Sequence, residues 1–167
     1  VYKLLMFLIA IVFIFLFYYF FIRPYSYRWK PCYGFKAYGV CMPSNYEVHG
    51  IDISHHQGKI NWKKVAHHKD LQFVYIKATE GGTYQDPRYK HNLKQARRRG
   101  LKVGSYHFMR TTSSVWLQFL NFVSHVPPKK QDLVPVIDVE ECKNWTSQQL
   151  ADSVALMSKL SEKVYGQ

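Results

Sequence analysis

Two carboxylates two residues apart, Asp138 and Glu140, are the sharpest candidates for chemistry in the sequence. They close an apolar run, LVPVIDVE at 133–140, that predicts a β-strand. Residues i and i+2 of a strand point to one face, with backbones roughly 6.5–7 Å apart. Repulsion between close carboxylates favours one that keeps its proton beside one that is ionised. That pairing suits the cleavage of glycosidic bonds, although two acids at a strand end are also compatible with plain solvation or with a bound cation.

Polar residues also close three earlier apolar runs, which predict strands at 49–54, 71–79 and 101–108. In βα proteins the carboxyl ends of the strands form the working face. The sequence therefore predicts one acidic cleft that gathers side chains from four strand ends, with two histidines along its lining. Besides the 138–140 pair, the residues expected there are Asp52, His56, Glu80, Tyr106 and His107.

Helix-like stretches alternate with these strands. They cover 61–68, 87–100, 113–124 and 147–164, with Gly100 at the end of the second helix and Thr146 as the N-cap of the fourth. Four successive βα units predict an α/β fold with a parallel sheet, either open or closed into a barrel.

The N-terminus has a different character. Residues Leu4 to Ile22 form nineteen positions without a charge, which as a helix span roughly 28 Å, close to the hydrocarbon thickness of a bilayer. The run ends in aromatic residues and Arg23-Pro24, without the small residues of a signal-peptide cleavage site. We therefore predict a transmembrane anchor over 1–24, a juxtamembrane connector over 25–47 and a catalytic domain over 48–167.

The orientation of this anchor rests on two opposing signals. Basic residues follow the helix at four positions between 23 and 36, whereas only Lys3 precedes it, so the positive-inside rule alone puts the C-terminal side in the cytoplasm. Closure of a disulfide between Cys32 and Cys41 would contribute roughly 2–3 kcal/mol and persists only outside the reducing cytosol. Two unrelated free thiols remain the alternative. We expect a single-pass protein whose catalytic domain faces the periplasm or the cell exterior.

Four segments resemble glycoside hydrolase family 25, the Chalaropsis-type lysozymes. They read GIDISHHQGKINW (50–62), FVYIKATEGGTYQDPRY (73–89), GLKVGSYHF (100–108) and PVIDVE (135–140). The resemblance implies a modified (β/α) TIM-type barrel and cleavage of the β-1,4 bond between N-acetylmuramic acid and N-acetylglucosamine in peptidoglycan. It implies Glu140 as the proton donor, Asp138 as the acid that assists through the 2-acetamido group, and Asp52 as the acid of the first strand. Glu80 and Tyr106 match residues that bind or orient substrate.

The chain departs from that family in length. Residues 48–167 supply 120 positions, whereas a barrel of this type needs at least about 200. We expect about the first half of a barrel, in a fragment of a longer protein. The alternative is a catalytically inactive, membrane-anchored protein that binds cell wall on a truncated barrel.

The remaining features indicate few other partners. The histidine pairs at 55–56 and 67–68 lack the i, i+4 spacing of a zinc site, and ATEGG lacks the spacing of a phosphate loop, so we predict no metal and no cofactor. The formal net charge is +12, but no nucleic-acid reader motif accompanies it. Solvated helix faces, or attraction to an anionic wall or membrane, explain such a charge.

Overall fold

The structure, a computed structural model, describes residues 2–23, 35–37, 40–42, 46–68 and 70–166. The chain divides into two compact units, Val1–Tyr46 and Glu47–Gln167. Each unit is described by itself.

The first unit begins with an exposed apolar helix. Helix α1 spans Tyr2–Phe17 and continues as a π-helical segment over Tyr18–Ile22. Together these 21 residues are long and apolar enough to cross a membrane, a property that a signal sequence near the N-terminus would share. Short strands β1 (Phe35–Ala37) and β2 (Val40–Met42) follow as an antiparallel pair that the sequence analysis did not predict. Cys32 lies outside the described residues, so its bridge to Cys41 stays a prediction.

The second unit is an α/β domain. Its elements in chain order are β3 (His49–Ile53), α2 (Trp62–Val65), β4 (Leu71–Glu80), β5 (Tyr84–Gln85), α3 (Tyr89–Arg98), β6 (Lys102–Phe108), α4 (Val115–His125), β7 (Val136–Asp138) and α5 (Ser147–Tyr165). Strands β3, β4, β6 and β7 pair in parallel and in chain order, and β5 pairs antiparallel with the end of β4. The predicted alternation of strands and helices around a parallel sheet is thereby confirmed.

Local sequence signals set the helix limits. The Thr146 hydroxyl accepts a hydrogen bond from the Gln149 amide at 3.2 Å, and the Gln149 side chain accepts one from the Thr146 amide at 2.8 Å, which is a complete capping box. Gly100 has a φ of +81° just beyond α3, where a side chain would be strained. These two features were expected from residue type alone.

One face of the sheet packs against the helices and forms the apolar core. Strand residues that alternate along β4 and β6 have no exposed surface there, and helix side chains cover them. The core includes Val74, Ile76 and Val103 from the strands and Leu93, Phe119, Phe122 and Met157 from the helices. Alternation along each strand leaves the intervening residues on the opposite face.

Strand β7 is shorter than the predicted 133–140. It pairs only over Val136–Asp138, along its β6 side. The preceding Pro135 has no backbone N–H and cannot donate a hydrogen bond to the ladder, while the amides of Asp132 and Leu133 both donate to the Val103 carbonyl. Glu140 therefore lies two residues beyond the end of the strand.

Candidate functional site

The strand register collects polar and aromatic residues on the face opposite the helices. Asp52 pairs with Tyr75, Lys77 pairs with Tyr106, and Phe108 pairs with Asp138. Paired residues of neighbouring strands share a face, so these side chains lie on one surface near the carboxyl ends of the strands. We use the term cleft for this surface.

The charges on this surface act on one another. Burial raises the pKa of the Tyr106 phenol, and the negative charges of Asp52, Asp138, Asp86 and Glu140 raise it further. Tyr106 is 9% exposed, so it forms part of the wall beneath the carboxylates. The strand register places Asp52 and Asp138 on the same face of the sheet as Tyr106.

The surroundings of Asp138 favour the neutral form of its carboxyl group. Burial raises its pKa, and the charges of Glu140 and Asp52 add to the shift, while the ammonium of Lys77 opposes it. Glu140 itself is exposed. Because β7 ends at Asp138, strand alternation does not orient Glu140. Its negative charge contributes to the raised pKa of both Asp138 and Tyr106.

An ion-pair network borders the carboxylates. The Lys77 ammonium donates to Glu80 Oε2 at 2.5 Å, and the Arg110 guanidinium contacts Glu80 Oε1 at 2.6 and 2.7 Å and also pairs with Glu141. The Lys77 and Arg110 cations lie 4.4 and 4.7 Å from the centre of the Phe108 ring. Burial raises the pKa of Glu80, but hydrogen bonds and charge from these two cations outweigh it, so the pKa lies below its usual range. Both oxygens of Glu80 are therefore occupied by cations of this chain.

His107 lies behind the sheet, which corrects the expectation that it lines the cleft. It is fully buried on the helix-facing side, with Nδ1 2.8 Å from Thr79 Oγ1 and Nε2 3.1 Å from Gln118 Oε1. Its neighbour Tyr106 faces the carboxylates, and adjacent strand residues point to opposite faces. A strand end that carries two polar residues in succession can present only one of them to a cleft.

The turn after β3 carries the exposed His56. Its ring lies against the His55 ring, with centroids 3.9 Å apart and the two ring planes tilted by 38°. Asp86, 3% exposed, fixes this turn because it accepts hydrogen bonds from the His55 amide at 2.8 Å and contacts His55 Nδ1 at 3.0 Å. His56 is thereby held at the carboxyl end of β3, beside the cleft.

Sequence reasoning missed Lys77, Arg110 and Asp86. Lys77 interrupts the apolar strand 71–79, and a buried lysine requires an acidic or hydrogen-bonding partner. Its position could therefore have indicated an ion pair near the end of this strand. Arg110 and Asp86 lie in loops and gave no periodic signal. Among the described residues, no group of three or more His, Cys, Asp or Glu is arranged to hold a metal ion.

Comparison with known proteins identifies the family. The sequence profile of glycosyl hydrolases family 25 matches residues 51–167. The protein YegX of Escherichia coli is 35% identical over 150 residues, which cover 87% of this chain and 53% of YegX. The autolytic lysozyme of Clostridium acetobutylicum is 36% identical over 107 residues, 63% of this chain and 32% of that protein.

Solved structures agree with the sequence comparison. A family 25 glycosyl hydrolase from Bacillus anthracis superposes with a TM-score of 0.70 at 33% identity, covering 75% of this chain and 60% of that one. The sheet and its helices resemble part of that fold. The chain spans about half the length of YegX, one of the curated relatives that it matches. With the profile covering most of its residues, the chain belongs to glycosyl hydrolases family 25.

Proposed function

We propose that the natural protein containing this chain is a lysozyme that hydrolyses the β-1,4 bond between N-acetylmuramic acid and N-acetylglucosamine in peptidoglycan. The observation that carries the proposal is the strand register, which puts Asp52, Tyr106 and Asp138 on one face at the carboxyl ends of the strands, with Glu140 two residues further along the chain. Family membership and the similarity to an autolytic lysozyme support the same chemistry.

Glu140 is assigned as the proton donor to the leaving sugar oxygen. It lies exposed beyond the end of β7, where a bound glycan can approach its carboxyl group. A second acid nearby is needed to stabilise the positive charge that develops on the sugar. The proposal therefore depends on two carboxyl groups: the exposed Glu140, and a second acid whose surroundings differ.

Asp138 is assigned as that second acid, acting through the 2-acetamido group of the substrate. It is fixed at the end of β7, with the backbone of Phe108 beside it and its own carbonyl bonded to the Met109 amide at 2.8 Å. Ionisation of Asp138 is opposed by burial and by the other carboxylates, and favoured by Lys77. Lys77, held by Glu80, thus supplies the positive charge that lets Asp138 work as a carboxylate.

Asp52 completes the set from the other end of the sheet. It is exposed on β3, the first of the four parallel strands. Parallel strands in chain order with helices on one face favour a (β/α) barrel of TIM type, of which this sheet is one part. In that arrangement Asp52 and Asp138 face each other across the substrate, and Tyr106 and His56 line the space between them.

The test of this assignment is muropeptide release from purified peptidoglycan by the natural protein and by matched variants. Glu140→Gln keeps the shape but removes the proton donor, so activity falls about 10²–10⁴-fold, and Asp138→Asn also loses most activity. Glu162→Gln makes the same chemical change on α5, outside the site, and leaves release unchanged. Equal release by Glu140→Gln and the unaltered protein contradicts the assignment. Sedimentation with peptidoglycan but no release by the unaltered protein supports the inactive wall-binding alternative instead.

We also assign residues 2–22 to a membrane anchor with the catalytic domain outside the cytoplasm, since peptidoglycan lies there. The support is an exposed apolar helix of 21 residues. We expect to recover the protein in the membrane fraction. We also expect that Cys32 and Cys41 are alkylated only after a reductant is added. A soluble protein that begins near residue 25 refutes the anchor, and labelling of both thiols without reductant removes the disulfide.

A further inference from the structure

A cationic groove of about 470 Å³ lies between α3 and the segment that follows α4. Its floor is formed by Tyr89 and Leu93, which are 2% and 9% exposed. Its rim carries exposed cations from both sides, Lys90, Lys94 and Arg98 from α3 and Lys130 from the opposite segment. The groove belongs to the helix-covered side of the sheet, and none of the proposed catalytic residues lines it.

The rim cations form a regular row. Lys90, Lys94 and Arg98 follow one another at intervals of four residues along α3, which places them about 6 Å apart on one side of the helix. Like charges at this spacing destabilise a helix, and α3 contains no acidic residue to offset them. Repulsion along this row does not contribute to the stability of α3.

The cations at the rim of the groove are not engaged in ion pairs with the described residues. Arg97 is paired with Asp132, with a nitrogen–oxygen distance of 3.1 Å. In the part of the chain that the structure describes, Lys90, Lys94, Arg98 and Lys130 form no ion pair. The row therefore presents positive charge that the fold itself does not neutralise.

The His125 side chain forms the inner wall of the groove. The His125 ring packs 5.1 Å from the Tyr89 ring, and its Nε2 atom is buried without a hydrogen-bond partner among the described residues. Burial and the charge of Lys90 lower the pKa of His125, although Asp86 acts in the opposite direction. The protein encloses the Nε2 atom, so His125 closes the inner wall of the groove and does not itself contact a ligand.

We propose that this groove binds an anionic chain built of phosphodiester-linked short polyols, one phosphate to each cation of the row. Phosphate oxygens suit both arginine and lysine, and the interval along α3 is close to the span of one three-carbon phosphodiester linker. The bound chain holds the domain at an anionic layer of the cell envelope, and this attachment does not depend on catalysis.

Two other anionic partners fit the groove less well. None of the exposed large apolar side chains of the domain lies on α3, so nothing there inserts into a lipid surface. Single-stranded nucleic acid requires exposed aromatic faces for base stacking, whereas Tyr89 is 2% exposed. The concave shape and the spacing of the cations favour a flexible phosphate chain.

The test measures binding of a fluorescently labelled glycerol phosphate oligomer to the full chain in phosphatidylcholine nanodiscs, across a range of salt concentrations. The row variant Lys90→Gln/Lys94→Gln/Arg98→Gln removes three charges while keeping good helix formers. Its affinity should fall at least about tenfold, and the slope of log affinity against log salt should flatten by about two. The control Lys159→Gln/Lys163→Gln removes exposed charges on α5 and should bind as the unaltered chain does.

Parallel arms distinguish the sources of phosphate. Inorganic phosphate, a thymidine oligonucleotide, and vesicles of equal parts phosphatidylcholine and phosphatidylglycerol should each bind more weakly than the oligomer. Saturable, salt-dependent oligomer binding that the row variant loses and the control keeps supports the proposal. Absence of oligomer binding, equal binding by the row variant, or tighter binding of vesicles or oligonucleotide overturns it.

Discussion

The buried side chain of Gln118 should be the most sensitive support of the cleft wall. It is fully buried in α4 and bonds four groups at 2.9–3.1 Å. Its Oε1 accepts from the Arg110 amide and from His107 Nε2, and its Nε2 donates to the carbonyls of Arg110 and Ser113. Through these bonds one glutamine fixes the loop after β6, from which Arg110 reaches Glu80.

The substitution Gln118→Leu keeps the volume and removes all four bonds. Each buried group left without a partner costs about 1–3 kcal/mol, and some of these groups recover a bond to water or shift, so the free energy of unfolding should fall by about 3–6 kcal/mol. That loss is comparable to the whole stability of a small domain. The cavity contribution stays small because the two side chains are similar in size.

Thermal and urea unfolding followed by circular dichroism measure this effect. The control is Gln148→Leu on α5, an exposed glutamine whose side chain bonds Asp152 at 2.9 Å, and it should change stability by less than about 0.5 kcal/mol. A loss below about 1 kcal/mol for Gln118→Leu would refute the assignment of this residue as the support of the loop.

Three further changes test the sheet and its charges. Asp138→Asn should stabilise the protein at neutral pH, because burial raises the pKa of this carboxyl group and disfavours its ionised form in the folded state. This gain in stability should vanish as the pH falls below the usual carboxyl range. Melting curves recorded across pH measure both effects. Lys77→Met removes the cation that lowers the pKa of Asp138, so the acid limb of the pH–activity profile should move to higher pH. An unchanged acid limb would show that Lys77 does not influence the ionisation of Asp138. Gly104→Ala places a Cβ 2.3 Å from the Tyr75 ring, so the unfolding free energy should fall by about 1–3 kcal/mol. At Gly58 an added Cβ has no neighbour within 4 Å, but φ is +62°. Gly58→Ala therefore tests backbone strain alone.

Much of the fold could be predicted because its signals are local. The apolar runs, the capping box at Thr146 and the glycine after α3 locate strands and helix ends without tertiary information. The predicted limits of β7 were too wide. Pro135 was a usable signal against a strand that starts at residue 133, whereas the bonds to the Val103 carbonyl form only once β6 is alongside. The β1–β2 pair was missed because its three-residue strands carry no periodic pattern.

The candidate site was predictable to a smaller extent. Strand ends located Asp52, Asp138 and Tyr106, since their positions follow from chain order and the parallel sheet. The sides taken by Tyr106 and His107 depend on register, which a single sequence does not determine. The ion pair of Glu80 with Lys77 spans a register shift within β4, and its ion pair with Arg110 depends on the loop after β6, so both are visible only in three dimensions.

The central claim is tested most directly by the identity of the new reducing end in digested peptidoglycan. Digestion by the natural protein followed by borohydride reduction and mass spectrometry shows which sugar becomes an alditol. Cleavage at the proposed bond leaves N-acetylmuramic acid at the reducing end, so we expect N-acetylmuramitol, and its formation should be lost with Glu140→Gln. Formation of N-acetylglucosaminitol, or of no new alditol, would contradict the proposal.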